Sequence, residues 1–360
     1  MTLDPISTLA FAGAILWLGG LLGNQTPCLS RHNVPPPVLS GLLFASLAWW
    51  WWRRSGEALI VDSSSRLHLQ SLFFATIGLN STVLIARRAG LRAVKLWAIA
   101  GVIAIAQNLV GIGLALAIGA PAVLGLACGS ASLMGGAATG RACAAQLETA
   151  GLAGAREICI AAAAFGLIAA SLLGNPVATF LIRQPGEPAA PAKASIATAP
   201  IVRHLLILAC LAAAGAFGSK WLTGLLPVLV PSYVVALALG LVVRYLDDRW
   251  RWLTLDGPTL VRLSAILSSL FLAHAMMDLR REQLAALTWP VLGILVVEIA
   301  VTVASVVLLV RWRLGSNYEA AVSTAGLIGF SLGITPNVVA NMTVLGRIGD
   351  PIFLDTKLAY

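Results

Sequence analysis

Several polar side chains stand inside runs that are otherwise apolar, and their types decide what chemistry is open to them. Gln107 and Asn108 are adjacent in Ile105-Ala-Gln-Asn108, Asn80 closes Phe73-Phe-Ala-Thr-Ile-Gly-Leu-Asn80, and Thr335 and Asn341 accompany a glycine-rich run. All five carry neutral oxygens, the ligands that a hard cation such as sodium prefers. Each is equally able to make an interhelical hydrogen bond, worth about 0.6 kcal/mol in a membrane interior. Glu298, in Val296-Val-Glu-Ile299, is the strongest physical anomaly. A carboxylate near the middle of a span costs about 2.5–3.5 kcal/mol on insertion scales, so it is protonated, paired or turned toward water. It reads either as an ion-binding or proton-coupling group, or as a protonated acid that mimics the hydrogen bonds of glutamine.

Two segments have the composition of broken helices. Gly129-Ser-Ala-Ser-Leu-Met-Gly-Gly-Ala-Ala-Thr-Gly140 is almost entirely small or hydroxylic, and Thr324-Ala-Gly-Leu-Ile-Gly-Phe-Ser-Leu-Gly-Ile-Thr-Pro336 repeats glycine before a closing proline. Broken backbone leaves N–H and C=O groups that hydrocarbon does not tolerate but a protein-lined cavity does. Both are therefore expected to be re-entrant loops, near 122–146 and 318–346; the alternative is a pair of closely packed helices. Helix N-termini beside such loops offer N–H groups and partial positive charge to a small anion. Ser130, Ser132, Gly135, Gly136 and Thr139 are placed for that role in the first loop, and Ser331, Gly333 and Thr335 in the second. Arg141, just beyond the first loop, is placed to pair with a carboxylate or, the favoured reading, to mark a water-exposed mouth.

The elements that must carry these residues follow from composition. Of 360 residues, 59% are hydrophobic and 11% are charged, about half the charged fraction of a soluble domain. A hydrocarbon core of about 30 Å needs about 20 helical residues to cross it. Five crossings are expected near 6–22, 34–52, 68–86, 96–119 and 157–183, and four more near 201–222, 224–245, 260–279 and 287–311. The chain is thus expected to be an all-α polytopic membrane protein. Its net charge of +9 sits in short clusters between apolar runs, without the stripe or arm that binds nucleic acid. Cys28, Cys128, Cys143, Cys159 and Cys210 form no CxxC pair and read as small hydrophobes. His32, His68, His204 and His274 are scattered, and no P-loop or nucleophile with an adjacent base is present. An enzyme is not expected, nor a bound metal or cofactor.

The Pro- and Ala-rich segment 184–200, with Pro185, Pro188, Pro191 and Pro200, reads as a linker between an N-terminal repeat, 1–183, and a C-terminal repeat, 201–360. With the N-terminus outside, loops on the inner side carry 14 basic residues and those on the outer side eight, which puts the linker in the cytoplasm. An odd number of crossings before the linker gives the halves opposite orientations. Weak internal similarity agrees: Thr76-Ile-Gly-Leu-Asn80 pairs with Met276-Met-Asp-Leu-Arg280, Gln107 with Glu298, and Ala137-Ala-Thr-Gly140 with Gly333-Ile-Thr-Pro336. Inverted repeats with broken segments in corresponding positions are the pattern of secondary transporters with a site near the midplane.

Phe73-Phe-Ala-Thr-Ile-Gly-Leu-Asn80, Gln107-Asn-Leu-Val-Gly-Ile-Gly113, Phe165-Gly-Leu-Ile168 with Gly174 and Pro176, and Ile334-Thr-Pro336 with Ala340-Asn-Met342 carry a specific resemblance. The chain resembles the bacterial sodium/glutamate symporter family from the first span to about Met342. The resemblance implies two inverted halves of about five spans, a glycine-rich re-entrant loop in each, and sodium-coupled uptake of L-glutamate or a similar dicarboxylate through the inner membrane. Sodium is then the coupling ion, the lipid bilayer the setting, and a homo-oligomer is left open. Ion-binding candidates are Asn80, Gln107, Asn108, Glu298 and Asn341. There are departures. Gly135-Gly-Ala-Ala-Thr139 stands where the family has Gly-Gly-His-Gly-Thr, and Asp278 and Glu298 stand where it tends to have glycine and glutamine. The segment after the second loop, ending at Tyr360, is too short and charged to supply the family's final span. Transport of another organic anion, such as a 2-hydroxycarboxylate, and a truncated non-transporting member are the alternatives.

Overall fold

A computed structural model describes residues 3–26, 36–57, 59–62, 64–81, 83–182, 198–225, 230–277 and 286–346. Fourteen helices and no β-strand are found among them. In chain order they are α1 (Pro5–Gln25), α2 (Pro36–Ser55), α3 (Ser64–Asn80), α4 (Val83–Ala117), α5 (Ala122–Cys128), α6 (Ser130–Leu133), α7 (Gly136–Thr149), α8 (Ala155–Leu181), α9 (Thr198–Leu225), α10 (Ser232–Trp250), α11 (Gly257–Met277), α12 (Trp289–Leu314), α13 (Tyr318–Leu332) and α14 (Thr335–Gly346). Among the described residues, six stretches are long and apolar enough to cross a membrane: Pro5–Gly23, Ala93–Ala117, Ala155–Leu181, Ile201–Leu225, Gly257–Met277 and Trp289–Leu314. A polytopic membrane protein follows. Many large apolar side chains also point outward, with Trp97 79%, Phe180 87% and Trp289 87% exposed. Gln107, Ser331, Asn337 and Asn341 are buried instead. That distribution suits a hydrocarbon solvent, where polar groups must find partners inside the protein.

Local signals explain where the helices begin and end. Asp4 accepts N–H bonds from Ile6 and Ser7 at 3.1 and 3.2 Å, with Pro5 in the first turn of α1, the usual N-cap arrangement. Asn317 caps α13 by accepting the N–H of Ala320 at 2.9 Å. Asp256 accepts the Thr259 N–H at 2.9 Å at the head of α11, and hydrogen bonding from the Thr259 side chain holds its carboxyl below the usual carboxylate range. The third crossing, expected to reach residue 86, ends at Asn80. Residues from Val83 belong to α4, whose helix is broken at Gly90 with φ +31°, a conformation that favours glycine. Most of the 184–200 linker, Cys28, Asp278 and the chain beyond residue 346 lie outside the described residues.

The helices pack into two bodies. One joins α1, α2, α3, α9, α10 and α11, around Phe73, Leu79, Leu208, Leu260 and Phe271 with a satellite of Ala12, Phe44 and Met277. The other joins α4–α8 with α12, α13 and α14, around Ile103, Leu133, Leu295, Ile328 and Leu332. Each body takes helices from both halves of the sequence, so neither half completes a core alone. The bodies meet mainly where α11 packs against α14, with Leu272, Ala275 and Met276 of α11 beside Leu167 of α8 and Ile334.

Glycines set the closest approaches. In the first body, Gly78 of α3 lies against Gly240 of α10, where an added Cβ would come within 2.9 Å of the Gly240 Cα. In the second, a Cβ on Gly125 of α5 would overlap the carbonyl of Gly111 on α4. Small residues here let backbones pack at contact distance, the usual device where lipid supplies no hydrophobic drive. Gly125→Ala should therefore force α4 and α5 apart, at an overpacking cost of about 1–3 kcal/mol. The expected result is a lower melting temperature in detergent. Gly101→Ala, where an added Cβ meets nothing within 4 Å, should leave it unchanged or raise it. Equal melting temperatures for Gly125→Ala and the parent would contradict this packing.

Candidate functional site

The first helix break is built around Gly129, where φ −82° and ψ −149° end α5 and a new helix starts at Ser130. Asn108 of α4 closes it. Its Oδ1 accepts the Ser130 N–H at 3.0 Å and the Ser130 hydroxyl at 3.1 Å, and a Cβ on Gly129 would stand 2.6 Å from that oxygen. The Ser132 hydroxyl donates to the Ala127 carbonyl at 2.5 Å. A second interruption follows at Gly135–Gly136. Gly136 has φ +68°, and an added Cβ would meet Ile334 Cγ2 at 2.7 Å. Both the backbone angle and the space therefore require glycine. Thr139, one turn into α7, is exposed.

The second break is at Gly333, where φ −136° and ψ −129° end α13 before Thr335-Pro336 opens α14. Its ties run to α8. Asn337 donates from Nδ2 to the Leu167 carbonyl at 3.2 Å and accepts the Ser171 hydroxyl at 3.1 Å. Asn341 donates to the carbonyls of Ala170 and Ala325 at 3.2 and 3.3 Å. Gly166 and Gly174 of α8 leave room for the Leu332 carbonyl and the Asn341 amide respectively. Asn337 was not among the residues singled out in the sequence. Its only signal there is its place two residues after Thr335.

Gln107 links the two regions. Its Nε2 donates to Thr302 Oγ1 of α12 at 3.0 Å and to the Ser331 carbonyl of α13 at 2.9 Å. Its Oε1 is buried without a hydrogen-bond partner among the described residues, as are Ser331 Oγ, Asn341 Oδ1 and both carboxylate oxygens of Glu298. An unsatisfied buried polar group costs about 1–3 kcal/mol, so such oxygens suit an occupant that accepts lone pairs. A hard cation fits that chemistry. Glu298 sits against the α4–α5 crossing, its Oε1 2.5 Å from where a Gly111 Cβ would be. Asn108, by contrast, uses its oxygen to cap the first break. Asn80 ends α3 in the other body and is not brought to this group. Among the described residues no cluster of three or more His, Cys, Asp or Glu is present, and Cys128, Cys143, Cys159 and Cys210 are free thiols.

Both breaks open on a cavity of about 460 Å³ between the two bodies. Met134, Gly135, Ala137, Ala138 and Arg141 line it from the first break, and Phe330, Ile334, Thr335 and Pro336 from the second. The opposite wall is Arg66, Gln70 and Phe74 of α3, Tyr233 of α10 and Phe271 of α11. Arg66 lies over the Phe271 ring, 5.8 Å from its centroid. A smaller adjoining space brings in Gly136 beside Arg66, Arg141 and Ile334. Of the residues expected to bind substrate, Gly135, Gly136 and Thr335 line these spaces. Ser130, Ser132, Ser331 and Gly333 hold the breaks behind them. Arg66, Gln70, Tyr233 and Phe271 carried no local signal, because they enter only through the packing of the other body.

The sequence profile of the Sodium/glutamate symporter family matches residues 1–348. Over 360 residues the chain is 34% identical to the sodium/glutamate symporter of Escherichia coli (strain K12), covering 95% of this chain and 89% of that protein. The sodium/glutamate symporter of Shigella flexneri gives the same values. That of Haemophilus influenzae (strain ATCC 51907 / DSM 11121 / KW20 / Rd) is 30% identical over 367 residues, covering 97% and 90%. Near-complete coverage at this identity assigns the family: the chain belongs to the sodium/glutamate symporters, a family of transporters.

Proposed function

We propose that this chain is a secondary active transporter that couples sodium to the uptake of L-glutamate, or a similar dicarboxylate, through the inner membrane of a bacterium. The halves 1–183 and 201–360 act as inverted repeats, each carrying one glycine-rich re-entrant segment. One observation carries the reading: Gly135–Gly136 of the first half and Ile334–Thr335 of the second touch, and both border the same cavity. A substrate there meets the first N–H groups of α7, which favour negative charge, together with the Thr335 hydroxyl. Gln107, Ser331 and Asn341 offer sodium their unpaired oxygens just behind those breaks. The relatives' names, which give sodium and glutamate, support the same pairing. An ion and a substrate held on the two sides of one set of helix breaks stabilise the same arrangement, which is what coupling requires.

In proteoliposomes, an inward sodium gradient should drive accumulation of L-glutamate above its external concentration. Replacing sodium with choline should reduce uptake to background. Uptake unaffected by that replacement would remove sodium coupling, and competition by citrate or malate in preference to aspartate would reassign the substrate. Gly136→Val should abolish uptake without changing the amount of protein in the membrane, because a left-handed non-glycine residue costs about 1–2 kcal/mol and its side chain meets Ile334. Parental kinetics in that variant would show that the segment is an ordinary packed helix.

A further inference from the structure

We propose that Glu298 is the anionic ligand of the sodium site, so that in this chain a carboxylate holds the coupling ion even when no substrate is bound. The inference rests on the reading that sodium occupies the oxygens left over behind the helix breaks. Glu298 lies inside the α12 span and is fully buried. Neither of its carboxylate oxygens has a hydrogen-bond partner among the described residues, and no described Lys, Arg or His is paired with it. A carboxyl group in that setting is matched by a cation or held as the neutral acid.

The packing of α12 on α4 favours the cation. Thr302 and Glu298, one turn apart on α12, stand opposite Gln107 and Gly111, one turn apart on α4. Gln107 Nε2 donates to Thr302 Oγ1 on the first rung, and Glu298 Oε1 reaches the bare Cα face of Gly111 on the second. The carboxylate and the unpartnered Gln107 Oε1 are therefore on neighbouring turns of one seam. A third oxygen joins them. The Gly125 carbonyl, like Glu298 Oε1, is 2.5 Å from where a Gly111 Cβ would be. It lies in the last turn of α5, where carbonyls lose their helical donors, and the Gly129 N–H turns to Leu126 instead at 3.2 Å. Ser331, whose carbonyl Gln107 holds at 2.9 Å, adds its unpartnered Oγ. A proton on Glu298 would supply a single donor to these acceptors. A sodium ion takes several oxygens at once, and the carboxylate cancels its charge where a low dielectric makes an unpaired charge most costly.

The test is the sodium-dependent thermal stability of the purified full-length protein without glutamate, with choline holding ionic strength constant. Sodium should raise the parent's melting temperature, because an ion that binds only the folded protein stabilises it by mass action. Glu298→Gln keeps the shape and removes the charge. It should raise the sodium concentration needed for half of that shift by about tenfold to a hundredfold, the range of a lost charged interaction. Glu298→Asp, which keeps the charge but draws it back by one methylene, should fall between the two and serves alone if the glutamine variant does not fold. No sodium-specific shift in the parent, or an unchanged sodium midpoint in either variant, would overturn the proposal. That holds even if the variants melt lower in sodium and choline alike, because such a change reports packing alone. Equal sodium midpoints for glutamate uptake by the parent and Glu298→Gln would also overturn it and leave the transport reading standing. A Glu298-dependent sodium shift in a parent that accumulates no glutamate would uphold the ligand and remove the transport reading.

Discussion

Backbone polar groups inside hydrocarbon must be paired, and the structure around the site is arranged by how that requirement is met where helices stop. Each break is served by carboxamides from neighbouring helices. Asn108 accepts the first N–H of α6, Gln107 donates to the Ser331 carbonyl near the end of α13, and Asn337 and Asn341 bind carbonyls of α8 and α13. Donor groups are largely used up in this way. Oxygens of Gln107, Asn341 and Ser331 are left over among the described residues, and in a dry interior a surplus of acceptors is a reason for a cation to enter. On the proposed function, the demands of closing the breaks and of binding an ion fall on the same side chains.

The spatial division of the molecule adds a second constraint. The two bodies each draw on both halves of the chain, and the walls of the cavity come from both. The second body supplies the helix breaks and the surplus oxygens, while the first supplies Arg66, Gln70, Phe74, Tyr233 and Phe271. On the proposed function, substrate lies between them and sodium behind the breaks of one. A change in how tightly those breaks are held is then felt directly at the cavity wall.

Membrane class, helical fold and family were legible in the sequence, because apolar run lengths and short motifs such as Phe73–Asn80 are local properties. The Gly- and Ser-rich runs also marked places where helices stop, at Gly129, Gly135 and Gly333, since only a run lacking bulk lets other backbone come so close. Partnerships were not legible. Asn80 and Gln107 look alike as amides in apolar runs, yet Gln107 lies among the breaks and Asn80 at the end of α3 in the other body. Asn337 passed as one more polar residue, although it binds both Leu167 and Ser171. Arg141 read mainly as a marker of a wet mouth, and only the approach of α3 shows that it shares its cavity with Arg66. These facts depend on contacts between residues far apart in the chain, which periodicity does not record.

If sodium and substrate stabilise the same arrangement of the breaks, their affinities must be linked, and linkage is reciprocal. The most direct measurement is equilibrium binding of L-glutamate to the purified protein across a range of sodium concentrations, with potassium or choline holding ionic strength constant. Glutamate affinity should rise with sodium, and sodium affinity should rise by the same factor with glutamate. A glutamate affinity that stays constant from zero to saturating sodium would contradict a shared site behind the breaks.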